Sequence, residues 1–277
     1  MAGLDFRGEA QRRDILVHVH IFKNAGSSID ASLKTSFGRR WRNIDPPDPA
    51  ACIGNLELVT ALSECPSLEA VSSHQLRFPL EGAEAIRLHP FLLLRHPLDR
   101  ARSIYDWERL PQRQQVSNAP HTRQAGESTF REFIAWCLQA AKAPIANYQT
   151  RLCSLRHNGS KPGDWRIDPN MINLSEALDF LPSLPVVGIV EEFDATVLAL
   201  NATFGLVFGT LNFEFTRKNT TQAASFGHDL SDRLQALEQE LGPALYRELL
   251  RHNELDLELY EWARRRLGGC GLAFEND

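Results

Sequence analysis

An apolar run that ends in a small polar loop decides the predicted fold. The run reads Ile15-Leu-Val-His-Val-His-Ile-Phe22, and Lys23-Asn-Ala-Gly-Ser-Ser28 follows it at once. After the loop, Ile29, Leu33 and Phe37 recur at a spacing of four, which marks one face of a helix. The stretch therefore predicts a buried strand, a tight loop and a helix, which together open a mostly parallel α/β sheet.

Further units of the same kind follow along the chain. Three more strands are predicted from short apolar runs, at Ala70 to His74, Phe91 to Arg95 and Val186 to Val190. Helices are predicted from helical spacing and end signals, at Leu98 to Glu108 behind Pro97, Thr129 to Ala141, Asp194 to Phe204, Leu230 to Leu241 and Pro243 to Leu267.

The polar stretch from Pro111 to Ser128 has almost no apolar periodicity and is predicted as a long surface loop, with a lid as the alternative. No break in composition divides the chain into halves. We expect one α/β domain of P-loop-like fold over residues 1–277, with a core from about 15 to 267 and tails at 1–14 and 268–277.

Composition excludes several classes of protein. The 30 Lys and Arg residues against 35 Asp and Glu give a net charge of −5, which disfavours a general nucleic-acid binder. No segment approaches the roughly 20 apolar residues of a membrane span, and the charged start has no secretory-signal pattern. The five cysteines form no CxxC pair, so they are predicted as reduced thiols. We expect a cytoplasmic protein, or a Golgi-lumen protein if an upstream anchor has been lost.

Two groups of residues predict binding of phosphate. In the first, the small residues Ala25 to Ser28 leave room for backbone amides to face an anion at a helix N-terminus, and Lys23 adds a full charge. The lysine of a Walker A loop follows the glycines, whereas Lys23 precedes Gly26, so this is a different loop. In the second group, Arg95 at a strand end and Ser103 on the next helix can together bind a second phosphate.

The same residues resemble sulfotransferase family 2, which includes the glycan sulfotransferases. Lys23-Asn-Ala-Gly-Ser-Ser28 resembles the family's Lys-Thr-Ala/Gly-Gly-Thr-Ser loop, although Asn24 and Ser27 replace threonines. Arg95-His-Pro-Leu-Asp-Arg-Ala-Arg-Ser103-Ile-Tyr105 resembles its Arg-Asp-Pro…Ser-x-Tyr element, with His96 in place of an acidic residue. Similar segments continue at Ser73-His74, Asn147 to Leu152, Val187 to Asp194 and Asn253 to Tyr260.

The resemblance implies a soluble, bacterial-type enzyme that uses 3′-phosphoadenosine 5′-phosphosulfate (PAPS) as co-substrate and releases 3′-phosphoadenosine 5′-phosphate (PAP). The sulfuryl group would pass to a hydroxyl of a carbohydrate or carbohydrate-containing acceptor. By the same resemblance, residues Lys23 to Ser28 hold the 5′-phosphosulfate, Arg95 and Ser103 hold the 3′-phosphate, and a later basic loop closes over the nucleotide. The candidates in that loop are Arg217 and Lys218.

In-line transfer builds charge on the bridging oxygen that leaves, and Lys23 with the loop amides is suited to stabilise it. The attacking hydroxyl must lose its proton to a base, for which His74 is the candidate. Glu191 and Glu192 are alternatives, unless they only form the acidic start of a helix. This scheme needs no metal.

Other polar residues are assigned to structural roles. His18 and His20 share one face of a strand, and because no third ligand stands at a recognisable spacing, we expect sheet or cleft-wall residues rather than a zinc site. Arg100 and Arg102 are expected to be solvated on their helix, and Tyr105 and Trp107 to form core or cleft wall.

Two alternatives to the sulfotransferase remain at this point. One is a phosphotransferase or kinase with an atypical P-loop, and the other is a nucleotide-binding family member without turnover. The expected partner is a small-molecule or glycan acceptor, without nucleic acid, and the sequence leaves the oligomeric state open.

Overall fold

The computed structural model describes residues 12–48, 51–140, 145–154, 172–213 and 229–271. Within them the sheet has the strands β1 (Arg13–Val19), β2 (Trp41–Asn43), β3 (Ala70–Ser73), β4 (Ile86–Leu94) and β5 (Val186–Ile189). All neighbouring strands are parallel, in the order β2-β3-β1-β4-β5. The predicted α/β fold with a central parallel sheet is confirmed.

Helices connect the strands and flank the sheet. Their bounds are α1 (Gly26–Phe37), α2 (Asn55–Glu64), α3 (Pro97–Glu108), α4 (Pro111–Val116), α5 (Pro120–Glu127), α6 (Phe130–Ala140), α7 (Tyr148–Cys153), α8 (Leu174–Phe180), α9 (Phe193–Phe204), α10 (Leu230–Leu241), α11 (Pro243–Arg251) and α12 (Glu254–Gly271). None of these helices combines the length and the apolar content that a membrane crossing requires.

Both faces of the sheet are buried. Leu16 packs in one cluster with α1 and α9, whereas its neighbours Ile15 and Val17 pack in another with α2, α7, α8 and α12. Successive side chains of a strand point to opposite faces, so the two clusters are the two faces of the sheet. A third cluster joins α3, α5, α6, α10 and α11.

The strand order places a crevice beside β1. The connection after β1 leads to β2 at one edge of the sheet, and the connection after β4 leads to β5 at the other edge. Since β1 and β4 are neighbours, the connections after them run in opposite directions, and in open parallel sheets ligands bind at such a point. The loop from His20 to Ala25 and the residue Arg95 lie there.

Several predicted boundaries are wrong. The stretch predicted as a loop at Pro111 to Ser128 contains α4 and α5, each with proline in its first turn, and both are too short to display an apolar period. The predicted last helix is two helices, α11 and α12, and they meet at the buried Asn253. Helix α9 begins at Phe193 behind Glu192, one residue before its predicted start at Asp194.

Two strands also differ clearly from their predicted extents, and one strand was not predicted. β1 runs from Arg13 to Val19 rather than to Phe22, and β4 begins at Ile86, well before Phe91. The edge strand β2 is only three residues long, two of them exposed, and therefore gives no apolar pattern that would have predicted it. All four cysteines with described side chains, Cys52, Cys65, Cys137 and Cys153, are free thiols.

Candidate functional site

The loop after β1 is wound by two left-handed residues that are not glycine. Lys23 has φ 67° and Ala25 has φ 59°, a conformation that costs energy for residues with a side chain. Ala25 is the N-cap of α1, and its carbonyl accepts the Ser28 N–H at 3.0 Å. The strained backbone turns the chain sharply from the sheet into the helix, so that the N-terminus of α1 lies beside the crevice.

Asn24 fastens this loop to the strand beside it. Its side chain is 1% exposed, and Nδ2 donates to Leu93 O at 2.8 Å and to Gln149 Oε1 at 2.7 Å. Gln149 Oε1 also accepts the N–H of Arg95 at 3.0 Å, and Gln149 Nε2 donates to Arg95 O at 2.8 Å. The fully buried Gln149 thus joins both predicted phosphate elements, a role that no local sequence signal indicated.

Arg95 lies at the loop but is already engaged there. Its Nη1 donates to Lys23 O at 3.1 Å, while Nε and Nη2 donate to Asp99 Oδ2 at 2.9 and 2.8 Å. Burial would raise the pKa of Asp99, but the guanidinium groups of Arg95 and Arg233 hold that pKa below its usual range. Ser103 lies farther along α3 and is half-buried. Arg95 therefore supports the loop, and its predicted grip on a 3′-phosphate together with Ser103 stays a prediction.

Lys23 presents a cation to the crevice. Its Nζ lies 4.5 Å from the centre of the Trp107 ring, within the range of a cation–π contact. Burial, followed by the charge of Arg95, lowers the pKa of Lys23 to about 8. The ammonium group is still mostly protonated at neutral pH, and because it has shed part of its hydration it is well suited to pair with an anion.

His74 is held by a carboxylate. Its Nδ1 lies 2.9 Å from Asp45 Oδ2, and its backbone N–H donates to Asp45 Oδ1 at 2.8 Å. Ser73 Oγ donates to the same Oδ1 at 2.6 Å. An ionised carboxylate can only accept, so the proton of a neutral imidazole lies on Nδ1 and Nε2 is left to accept a proton. The His74 side chain is 35% exposed, so the ring is partly open to solvent.

Asp45 was missing from the sequence-based prediction. It follows β2, the edge strand that was also missed, and reaches His74 because β2 pairs with β3. Burial would raise its pKa, but the hydrogen bonds from His74 and Ser73 hold the pKa well below its usual range.

His20 connects this pair with the loop. The His20 and His74 rings stack with centroids 3.8 Å apart and an angle of 28° between their planes. On the other side of His20, a Cβ added to Gly26 would lie 2.0 Å from its Nε2. His74, His20 and Gly26 therefore pack in one row. Gly26 belongs to the predicted phosphate-binding loop from Lys23 to Ser28, the anion loop.

His18, His20 and Asp30 form a second polar cluster behind this row. His18 Nδ1 lies 2.8 Å from Asp30 Oδ1, and His20 Nδ1 lies 3.1 Å from Asp30 Oδ2. Burial lowers the pKa of His20 to about 4, so the ring is neutral at physiological pH. Sequence spacing indicated no third ligand, but α1 folds back over β1 and brings Asp30 to the two histidines.

Glu191 lies on the other side of Arg95, at the end of β5. Its Oε1 accepts the N–H of His96 at 3.0 Å, and burial raises its pKa to about 7. Burial and the nearby Glu191 also raise the pKa of Tyr260. Glu192 is the N-cap residue of α9. A carboxyl group that titrates near neutrality keeps Glu191 as an alternative base, whereas its place among buried side chains favours a structural role.

The remaining predictions for basic residues concern two arginines on α3 and two residues of the later basic loop. Arg100 is fully buried, with its guanidinium 4.3 Å from the centre of the Tyr148 ring and Nε donating to Phe22 O, so its predicted solvation is wrong. It faces the core side of α3, and sequence spacing could not distinguish it from the half-exposed Arg102. Arg217 and Lys218 lie outside the described residues.

Comparison with known proteins gives one distant relative and no family. No family model matches the chain. An uncharacterized protein of Archaeoglobus fulgidus is 29% identical over 257 residues, which cover 90% of this chain and 95% of that protein. The similarity covers most of both chains, but the description of that protein names no activity.

Proposed function

We propose that the protein is a sulfotransferase that moves the sulfuryl group from PAPS to a hydroxyl of a carbohydrate or carbohydrate-containing acceptor. The observation that carries the proposal is the row of His74, His20 and Gly26, in which a carboxylate-held imidazole stacks within 3.8 Å of a ring packed on the anion loop. An acceptor hydroxyl that meets His74 is thereby brought close to a group held at that loop. Group transfer requires that the base and the site that holds the transferred group lie close together, as His74 and the anion loop do.

The transfer would proceed by in-line displacement. The acceptor oxygen forms a bond to sulfur while the bond from sulfur to the bridging oxygen breaks, and PAP leaves with the electron pair. His74 Nε2 takes the hydroxyl proton as that bond forms, and Asp45 stabilises the resulting imidazolium. Lys23 and the amides of α1 stabilise the charge on the departing oxygen.

The nucleotide assignment rests on the chemistry of the crevice. Strained residues at Lys23 and Ala25 expose helix amides, Lys23 supplies a partly desolvated cation, and Arg95 fixes the loop through Lys23 O. These donors fit a phosphosulfate, and the order of the loop resembles sulfotransferase family 2 rather than a Walker A loop. A P-loop-like fold for this chain is part of the same proposal.

Ligand binding separates this proposal from an atypical phosphotransferase. PAP, ADP and ATP are added separately to the full chain, and the melting temperature is measured at equal concentrations. We expect stabilisation by PAP to exceed that by ADP and ATP, because only PAP carries a 3′-phosphate. Equal stabilisation by all three would refute the sulfonucleotide assignment.

Turnover separates an enzyme from a non-catalytic nucleotide binder. Radiolabelled PAPS is incubated with a panel of sugar acceptors, and labelled products are counted for wild type, Lys23→Ala and His74→Ala. Lys34→Ala, an exposed lysine on α1, and His252→Ala, which has the same 35% exposure as His74, are the matched controls.

Both site variants should lose transfer while both controls keep it. Full transfer in His74→Ala together with its loss in Glu191→Gln would move the base to Glu191. PAP binding without transfer to any acceptor would favour the non-catalytic reading.

A further inference from the structure

We propose that His18, His20 and Asp30 form a binding site for a divalent transition-metal ion such as Zn²⁺ or Co²⁺. One imidazole from β1, one from the residue that follows β1, and one carboxylate from α1 lie close together. His20 also belongs to the row with His74 and Gly26, but no step of the proposed sulfuryl transfer passes through this ion.

The distances between the donor atoms suit an ion. His18 Nδ1 and His20 Nδ1 lie 2.8 and 3.1 Å from the two oxygens of Asp30, and the donor atoms of all three residues lie within 4.8 Å of one another. Neighbouring ligands of an ion with bonds of about 2.1 Å are about 3.0 Å apart in octahedral geometry and about 3.4 Å apart in tetrahedral geometry. The ion would replace two hydrogen bonds, and each imidazole proton would move from Nδ1 to Nε2, so that neutral rings need release no proton.

The ligand set is also of the right chemical type. Two imidazoles with one carboxylate favour zinc, iron or cobalt over magnesium and calcium, which prefer oxygen ligands. The remaining coordination positions would go to water.

The surrounding side chains fix the ligands in place. His18 stacks on Phe91 and on His20, with ring centroids 5.1 and 5.0 Å away, and His20 stacks on His74. Rings packed against neighbouring rings lose little freedom when they bind an ion, which strengthens binding. Asp30 is the most exposed of the three at 16%, so it marks the side from which an ion would enter.

Cobalt titration tests the site directly. The full chain is freed of metal with EDTA, Co²⁺ is added, and visible absorption and melting temperature are recorded. We expect one Co²⁺ per chain, the weak d–d absorption of nitrogen and oxygen ligands, a raised melting temperature, and displacement of Co²⁺ by Zn²⁺. His18→Gln and Asp30→Asn should weaken binding by about tenfold or more, and His252→Ala should leave it unchanged.

Wild-type protein provides a second test that needs no variant. X-ray absorption of the Zn²⁺-loaded chain should show scattering from two imidazoles and no sulfur neighbour. Sulfur neighbours, the absence of bound Co²⁺, or unchanged binding in folded Asp30→Asn would each overturn the proposal. None of these outcomes tests sulfuryl transfer, which is measured separately by the formation of labelled product.

Discussion

His74 Nδ1 and Asp45 Oδ2 lie 2.9 Å apart, and Asp45 reaches His74 from the segment that follows β2, 29 residues earlier in the chain. The carboxylate also accepts the His74 backbone N–H, so both the ring and its backbone are fixed. A histidine held in this way has a defined tautomer and a free Nε2. This relationship makes His74 a better candidate base than its sequence position alone indicated.

Asp45→Asn tests this positioning role. The amide can still accept from the His74 backbone, but its NH₂ group opposes the Nδ1 proton and favours the wrong tautomer. We expect kcat for sulfuryl transfer to fall by about a hundredfold or more while PAP affinity stays within about twofold. Asp179→Asn, an exposed carboxylate on α8, is the control. Loss of PAP affinity with normal kcat would show instead that Asp45 acts in binding.

The pKa of Lys23 predicts how nucleotide affinity depends on pH. With that pKa at about 8, the free protein loses the Lys23 charge as pH rises through 8, whereas the phosphates of PAP are already charged. We expect PAP affinity, measured by calorimetry, to be constant near pH 7 and to fall by up to about tenfold per pH unit above 8. Lys23→Met should bind more weakly and lack this decline. The same decline in Lys23→Met would assign it to another group.

Glu191 predicts a loss of stability with rising pH. The pKa of a glutamate side chain is ordinarily 4.5, and that of Glu191 in the folded protein is about 7. Between these two pH values the folded state holds a proton that the unfolded state has lost. The stability linked to this proton is complete below pH 4.5 and disappears as pH rises through 7.

Glu191→Gln should remove this dependence, since a glutamine oxygen can still accept the His96 N–H. The difference in unfolding free energy between variant and wild type should increase by about 3 kcal/mol from pH 4.5 to pH 8, measured by urea unfolding. Glu127→Gln, an exposed residue at the end of α5, should show no such trend. A flat difference for Glu191→Gln would mean that its carboxyl group titrates normally.

A side chain at position 26 is predicted to destabilise the protein for steric reasons. An alanine Cβ would lie 2.0 Å from His20 Nε2, so the histidine row must shift. We expect Gly26→Ala to lower the unfolding free energy by about 1–3 kcal/mol and to weaken PAP binding. Gly268→Ala on α12 meets no atom within 4 Å and should instead gain up to about 1 kcal/mol of helix stability. Equal effects of the two substitutions in denaturant unfolding would contradict this packing argument.

The sequence by itself determined the fold class and the location of the candidate site. Apolar runs at β1, β3, β4 and β5 and the helical spacing after Ser28 are local patterns, so the parallel sheet and the loop at its carboxyl edge could be predicted. Short elements such as β2, α4 and α5 were missed, because segments of a few residues display no period.

Only the tertiary structure decided the partners of these residues. Asp45 at His74, Asp30 at His18 and His20, and Gln149 at Asn24 come from separate elements that meet when the strands take the order β2-β3-β1-β4-β5. Gln149 and Asn24 are 125 residues apart in sequence. No local pattern encodes such pairs, because strand order and helix packing depend on how the whole core is buried.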